Sequence, residues 1–192
     1  LKTWDKDSRW DIGGGGTVWD AINYDPAFDT VYIGVGNGGP YSIKTRSPKG
    51  GTNLYLSSIV ALDRKTGTVK WHYQETPGDS WDFTATQPMV LADVEVDGKV
   101  RPAILHSPKN GYLFVIDRET GKPLRINALV RANWTRGFDK DGVAQMTPGN
   151  VDFWNGPRIV YPASAGARNW YPAAYDPTRK LYFAHVLDMG NL

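Results

Sequence analysis

The chain has 192 residues, 41% of them hydrophobic, and its 22 Lys and Arg against 20 Asp and Glu give a formal net charge of +2. That length accommodates one domain with a sizeable core, and the near balance of charge argues against a nucleic-acid or anionic-membrane partner held by bulk electrostatics. The lack of cysteine excludes disulfides, thiolate metal sites and haem attachment within these residues, while 21 Gly, 13 Pro, 8 Trp and 10 Tyr favour short strands joined by turns.

The start, Leu1-Lys2-Thr3-Trp4, has no initiator Met and no signal-peptide core, so the chain is expected to begin in mid-protein. Gly13 to Gly16 is followed by a strand-like segment and not by a helix opening with Lys and Ser or Thr, which argues against a phosphate loop. Runs rich in β-branched and aromatic residues predict strands at Thr30 to Val35, Ser58 to Leu62, Val69 to Tyr73, Met89 to Val96, Ala103 to His106, Tyr112 to Ile116 and Leu181 to Val186. Long helical periodicity is missing, and no apolar run approaches the roughly 18 residues needed to span a bilayer. Thr66-Gly67 and Thr120-Gly121 mark turns, and Asp97-Gly98 and Asn110-Gly111 read as hairpin dipeptides.

An internal repeat is visible. Ala61-Leu62-Asp63-Arg64-Lys65-Thr66-Gly67 and Val115-Ile116-Asp117-Arg118-Glu119-Thr120-Gly121 both read strand, then Asp-x-x-Thr-Gly turn, with a strand to follow. Tyr24-Asp25-Pro26 and Tyr175-Asp176-Pro177 are looser copies. Hairpins repeated in this way suggest propeller blades, each burying its faces by stacking on its neighbours. The expectation is an all-β, partial β-propeller with three to four blades of four-stranded antiparallel sheets, residues 1–192 forming part of a single domain. Trp71 is a ring large enough to wedge between blades. Trp134 to Ile159, with Gly142, Pro148, Gly149, Asn150, Gly156 and Pro157, reads as an excursion between blades.

Taken singly, the polar and aromatic residues are unremarked. His72, His106 and His185 lack metal-ligand spacing and read as satisfied structural histidines. Asp82 reads as a turn or cap residue, Asn37 as tolerating a left-handed turn, Trp19 as core packing and Lys109 as a solvated cation.

Several segments together resemble the PQQ-dependent (quinoprotein) alcohol dehydrogenases, and the type II quinohaemoprotein branch more than the methanol dehydrogenases. They are Gly13 to Asp20 (GGGGTVWD), Gly34 to Pro40 (GVGNGGP), Asn53 to Asp63 (NLYLSSIVALD), Thr76 to Asp82 (TPGDSWD), Pro108 to Gly111 (PKNG) and Gly166 to Trp170 (GARNW), in the family's order across nearly the whole chain. The resemblance implies an eight-bladed periplasmic propeller with PQQ and a metal ion near its axis, of which this chain is an internal portion. It assigns Asp82 as catalytic base and metal ligand, Asn37 as an amide ligand to the metal, Trp19 as the ring on which PQQ stacks and Thr17 as a hydroxyl on a PQQ carboxylate. Lys109 falls where the family reaches the quinone oxygens, and Asn169 and Trp170 match positions near the quinone.

Relatives that use a lanthanide carry an Asp two residues after the base. This chain has Thr84 there, which favours Ca²⁺. Thr52 stands where relatives commonly have Asp. The implied reaction is oxidation of a small alcohol, with Ca²⁺ as Lewis acid, Asp82 removing the proton and hydride passing to the quinone. Electrons then leave to a cytochrome c-type acceptor, a haem c domain beyond the C-terminal end being one form of it. These residues alone are expected to be inactive, since further site residues come from upstream blades. The competing reading is a non-catalytic propeller scaffold of the outer-membrane assembly type, which has no need of Trp19, Asn37, Asp82 and Lys109 together.

Overall fold

The computed structural model describes residues 2–9, 11, 13–149 and 153–192. Leu1 and Asn150 lie outside them. Two four-stranded antiparallel sheets dominate. In the first, β1 (Ile22–Asp25), β2 (Thr30–Gly34), β3 (Ser58–Asp63) and β4 (Val69–Gln74) lie side by side in chain order; in the second, β5 (Val90–Val96), β6 (Lys99–His106), β7 (Tyr112–Asp117) and β8 (Pro123–Ala128) do the same. Two hairpins follow, β9 (Thr135–Phe138) with β10 (Ala144–Met146) and β11 (Ala174–Asp176) with β12 (Leu181–Phe183). Among the described residues the helical content is one α-turn, α1 (Ile43–Arg46), and one 3₁₀ turn, Phe153–Asn155.

Each four-stranded meander is a blade. Where three to four blades were expected, the described residues contain two complete ones, and β11–β12 beside β5 begins a third. The shortfall arises because Trp134 to Ile159 folds as the expected excursion, with β9–β10 as its own hairpin, and uses sequence that a blade count by length assigns to strands.

The repeated turn is geometrically the same in both blades. Asp63 Oδ1 accepts from the backbone N–H groups of Lys65 and Thr66 at 3.0 and 2.9 Å and from the Thr66 hydroxyl at 2.8 Å. Asp117 Oδ1 accepts from Glu119, Thr120 and the Thr120 hydroxyl at 3.1, 2.9 and 2.9 Å. The looser copies also form hairpins, with Asp25 and Asp176 accepting backbone N–H groups two residues on. Asp97-Gly98 forms the β5–β6 turn, both residues having positive φ. Asn110-Gly111 does not form a two-residue hairpin. Five residues separate β6 from β7, and buried Asn110 instead donates to Glu75 O and Thr76 Oγ1 at 3.2 and 3.1 Å. Two strand boundaries move by more than one residue: β12 ends at Phe183 instead of Val186, and β6 starts at Lys99 instead of Ala103.

The second blade is covered on both faces, because alternate strand residues point to opposite sides. Ile104, Phe114 and Ile116 pack with Tyr32, Ile59, Ala61 and Tyr73 of the first blade. Ala103, Leu105 and Val115 pack toward Tyr175 and Tyr182 of the third hairpin. Double coverage explains why Ala103 to His106 reads as a continuous buried run. Trp71 does wedge between blades. Its ring tilts onto Tyr32 at 5.5 Å, its indole N–H donates to Arg118 O at 3.2 Å, and a Cβ on Gly121 would come within 2.5 Å of it.

Candidate active site

In these meanders the connections alternate between two ends. Tight turns at residues 26–29, 64–68, 97–98 and 118–122 occupy one end; longer segments preceding β1 and joining β2 to β3, β4 to β5 and β6 to β7 occupy the other. Thr17, Trp19, Asn37, Asp82 and Lys109 all lie on the second kind, and Asn169 and Trp170 lie on the equivalent segment before β11. The antiparallel topology therefore gathers every candidate at one end of the sheets.

Asp82 sits in the β4–β5 connection. Residues 78–87 are buried there except Asp82, which has a positive φ of 67° and is partly exposed. Its Oδ2 accepts from the Lys109 ammonium at 2.7 Å, and the Lys109 side chain is 5% exposed. This ion pair was not foreseen from the sequence, where Lys109 stood alone. Beside Asp82 opens a cleft of about 340 Å³ walled by Trp81, Phe153, Val160, Pro162 and Leu192. Trp81 and Phe83, flanking the aspartate, pack on fully buried Trp134, with Trp81 and Trp134 centroids 5.9 Å apart. The indole of Trp134 donates to Asn110 O at 2.8 Å, so the excursion is pinned beneath the Asp82 turn and next to Lys109.

The glycine-rich segments lie side by side. Gly16 N–H donates to Asn37 O at 2.8 Å and Gly36 N–H to Thr17 O at 3.1 Å, although residues 16–19 form no regular strand. Thr17 and Trp19 are both exposed, and Val18 between them is less so. Trp19 meets Trp170 edge-to-face at 6.3 Å. The Asn37 amide donates to Gly38 O at 3.2 Å, which leaves its oxygen as the acceptor a hard cation takes. Asn169 donates to Ala165 O at 3.0 Å and so acts as a turn residue of its own loop. Asn37 and Asp82 make no hydrogen bond to each other among the described residues. Both of their loops rest on buried Arg46, whose guanidinium lies where a Cβ on Gly38 would fall and donates to Asp79 O at 2.6 Å.

Beneath the site is a buried polar layer that sequence reasoning missed. His106 Nε2 lies 2.9 Å from the Gln87 carbonyl, an acceptor only, so that nitrogen carries the proton, and Nδ1 faces Glu75 Oε1 at 2.7 Å. Burial pushes the Glu75 carboxyl up, against the pull of His106. Arg168 is also buried and donates to Ser107 O and Tyr171 O at 3.0 and 2.8 Å, tying the Trp170 loop to the segment that carries Lys109. Asp79 is the remaining member, its carboxyl pushed up to about 6 by burial, against two backbone N–H bonds and Arg46. The available signal for it was its place three residues before Asp82. Thr84 is buried against Thr86, its hydroxyl 2.7 Å from the Thr86 hydroxyl. His72 meets Tyr55 edge-to-face and His185 packs tilted against Tyr171, and no cluster of three or more His, Cys, Asp or Glu able to hold a metal occurs among the described residues.

The model of the PQQ glucose/ethanol/alcohol dehydrogenase β-propeller domain matches residues 1–127. The chain is 50% identical over 187 residues to a quinohemoprotein alcohol dehydrogenase of Comamonas testosteroni, covering 95% of this chain and 26% of that protein. It is 48% identical over 191 residues to quinohemoprotein alcohol dehydrogenase ADH-IIG of Pseudomonas putida, covering 97% and 27%. The crystal structure of the Comamonas testosteroni protein superposes with a TM-score of 0.92 at 50% identity, over 95% of this chain and 27% of that one. A europium-containing methanol dehydrogenase superposes with a TM-score of 0.84 at 34% identity, over 95% and 31%. The chain thus spans about a quarter of the length of the curated relatives it matches. With the family model covering most of its length and the sheets superposing on those of solved relatives, this chain belongs to the family of PQQ glucose/ethanol/alcohol dehydrogenase β-propeller domains.

Proposed function

We propose that these residues supply one side of the active site of a periplasmic PQQ- and Ca²⁺-dependent alcohol dehydrogenase, with Asp82 as base and a cytochrome c-type protein or domain as electron acceptor. The observation that carries this reading is Asp82 itself, the one residue of a buried run to emerge, at the mouth of a mostly apolar cleft that Arg158 and Asn191 also line, and ion-paired with a nearly buried lysine.

The residues present fit part of the cofactor site. Trp19 and Trp170 offer exposed apolar rings, as a flat aromatic ligand requires, and Asn37 and Asp82 offer hard oxygen donors. When bound, the quinone supplies a hydride-accepting carbonyl and the calcium ion a Lewis-acid charge beside it.

Asp82 accepts the alcohol's hydroxyl proton on its carboxylate as the α-hydrogen departs. The Lys109 ammonium keeps that carboxylate oriented and provides positive charge where negative charge develops. Trp19 forms the floor under the cofactor, Thr17 donates its hydroxyl to a cofactor carboxylate and Asn37 presents its amide oxygen to the cation. Asn169 and Trp170 close the side facing Trp19. Trp81, Phe153, Val160 and Pro162 hold the alkyl part of the alcohol and keep water from the reacting carbon.

The test is to reconstitute the full-length protein with PQQ and Ca²⁺ and to follow artificial-dye reduction across a panel of alcohols. Turnover with small alcohols, lost on chelation and restored by Ca²⁺, is expected. A protein that binds PQQ yet oxidises no alcohol refutes the reading.

A further inference from the structure

The Asp82 backbone is held in a conformation that non-glycine residues rarely adopt, at φ 67°, and surrounding contacts must over-determine it. The contacts are these. Asp79, fully buried, accepts on one carboxylate oxygen, Oδ1, from the backbone N–H of Trp81 at 3.1 Å and of Phe83 at 3.0 Å, the residues on either side of Asp82. Its own carbonyl is held by the Arg46 guanidinium at 2.6 Å, and Ser80 Oγ accepts from Ile43 N–H at 2.9 Å, so both ends of α1 grip the start of the turn. Arg46 also donates to Pro40 O and Tyr41 O at 2.6 and 3.0 Å, next to the Gly38 backbone it underlies. The segment is therefore clamped from below while Asp82 alone projects.

We propose that Asp79 is the positioning residue for Asp82: its buried carboxylate grips the two peptide N–H groups flanking Asp82, enforces the left-handed backbone there and so aims the Asp82 carboxylate at Lys109 and the cleft. Arg46 completes the device by tying the same turn to the Asn37 loop, which sets the separation of the two elements that carry the proposed base and the proposed amide ligand. The inference rests on the function proposed above for Asp82. Asp79 touches neither substrate nor cofactor in this scheme; what it contributes is an acceptor at a fixed place, and charge is not required of it.

Two variants of the full-length protein separate these ideas. Asp79→Ala removes the acceptor, whereas Asp79→Asn keeps a side-chain oxygen in its place and removes the charge. In PQQ- and Ca²⁺-reconstituted enzyme, Asp79→Ala is expected to lower kcat by about 10²-fold with KM little changed, the size of loss that follows an ångström of misplacement, and Asp79→Asn is expected to restore kcat to within about tenfold of wild type. Crystal structures give a readout independent of turnover: Asp79→Ala loses the positive φ at Asp82 and the Lys109–Asp82 contact, and Asp79→Asn keeps both.

An Asp79→Ala crystal structure with the contact intact, or a kcat within about threefold of wild type, overturns the proposal. Should Asp79→Ala fail to take up cofactor, Asp79→Asn decides. A loss of about 10²-fold in that folded variant overturns the proposal, and retention of activity and contact supports it, since the acceptor is what it keeps over alanine. A wild-type enzyme that oxidises no alcohol is a failure of the function reading, and the crystallographic comparison still tests the positioning.

Discussion

The two ends of the blades use aspartate in opposite ways. At the turn end, Asp63 and Asp117 each accept two backbone N–H groups and a threonine hydroxyl, in local loops that would form with no knowledge of the rest of the chain. The Asp63 carboxyl is held below the usual carboxylate range by the Thr66 N–H and hydroxyl. At the loop end, Glu75 and Asp79 are fully buried, each with one oxygen lacking a hydrogen-bond partner among the described residues, and burial raises both carboxyls. Positive-φ aspartates occur at both ends, Asp29 and Asp97 in tight turns and Asp82 at the loop end, so what sets the loop end apart is the desolvation of its carboxyls, the pattern expected of a functional end.

The contrast can be broken most forcefully at Asp82. Asp82→Asn in the reconstituted full-length enzyme should leave PQQ uptake by absorbance titration intact and lower kcat by about 10²- to 10⁴-fold, the range of a general base. Near-normal turnover in that variant would remove Asp82 from the reaction.

A smaller effect should appear in stability against pH. Asp79 has a raised folded-state pKa of about 6, so the folded protein binds a proton more readily than the unfolded chain. Its contribution is favourable below the unfolded value near 3.8 and is lost as pH rises through about 6. Melting of wild type against Asp79→Asn should therefore show the variant gaining on wild type by about 2 kcal/mol between pH 4 and pH 7, and parallel curves would contradict the burial argument.

The turn end offers the mildest tests, at two glycines in the same motif. Gly67 and Gly121 have positive φ of 70° and 72°, but a Cβ meets nothing within 4 Å at Gly67 and meets the Trp71 ring at 2.5 Å at Gly121. Gly121→Ala should destabilise by about 2–4 kcal/mol, adding overpacking to backbone strain, and Gly67→Ala by about 1 kcal/mol. Equal melting shifts would show that Trp71 does not depend on that glycine for its place between blades.

Much of the architecture was legible because it is locally encoded. The Asp-x-x-Thr-Gly repeat specified its own turn chemistry, and the β-branched and aromatic runs of β2 to β7 located most strands to within a few residues. Trp71 showed itself as a wedge by size alone. The Asn110-Gly111 pair misled for an instructive reason: the dipeptide has the local preference of a hairpin, but Asn110 is buried where Glu75, Thr76 and Trp134 all need its polar atoms, and that demand outweighs the local preference. At the site, Thr17, Trp19, Asn37, Asp82, Lys109, Asn169 and Trp170 could be named only through a motif resemblance, since none of them differs in composition or spacing from ordinary turn and surface residues.

By itself the sequence determined the alternation of short strands and turns, because backbone conformation and turn capping depend on neighbours a few residues apart. Tertiary structure decided which residues carry unusual states. Asp63 and Asp79 are the same amino acid, each in a short segment with one glycine, yet one is held below its ordinary pKa by a local turn and the other is raised by burial and spans a strained aspartate. Desolvation and contacts such as Lys109 to Asp82 join residues 27 positions apart in the chain and exist only once the blades have stacked.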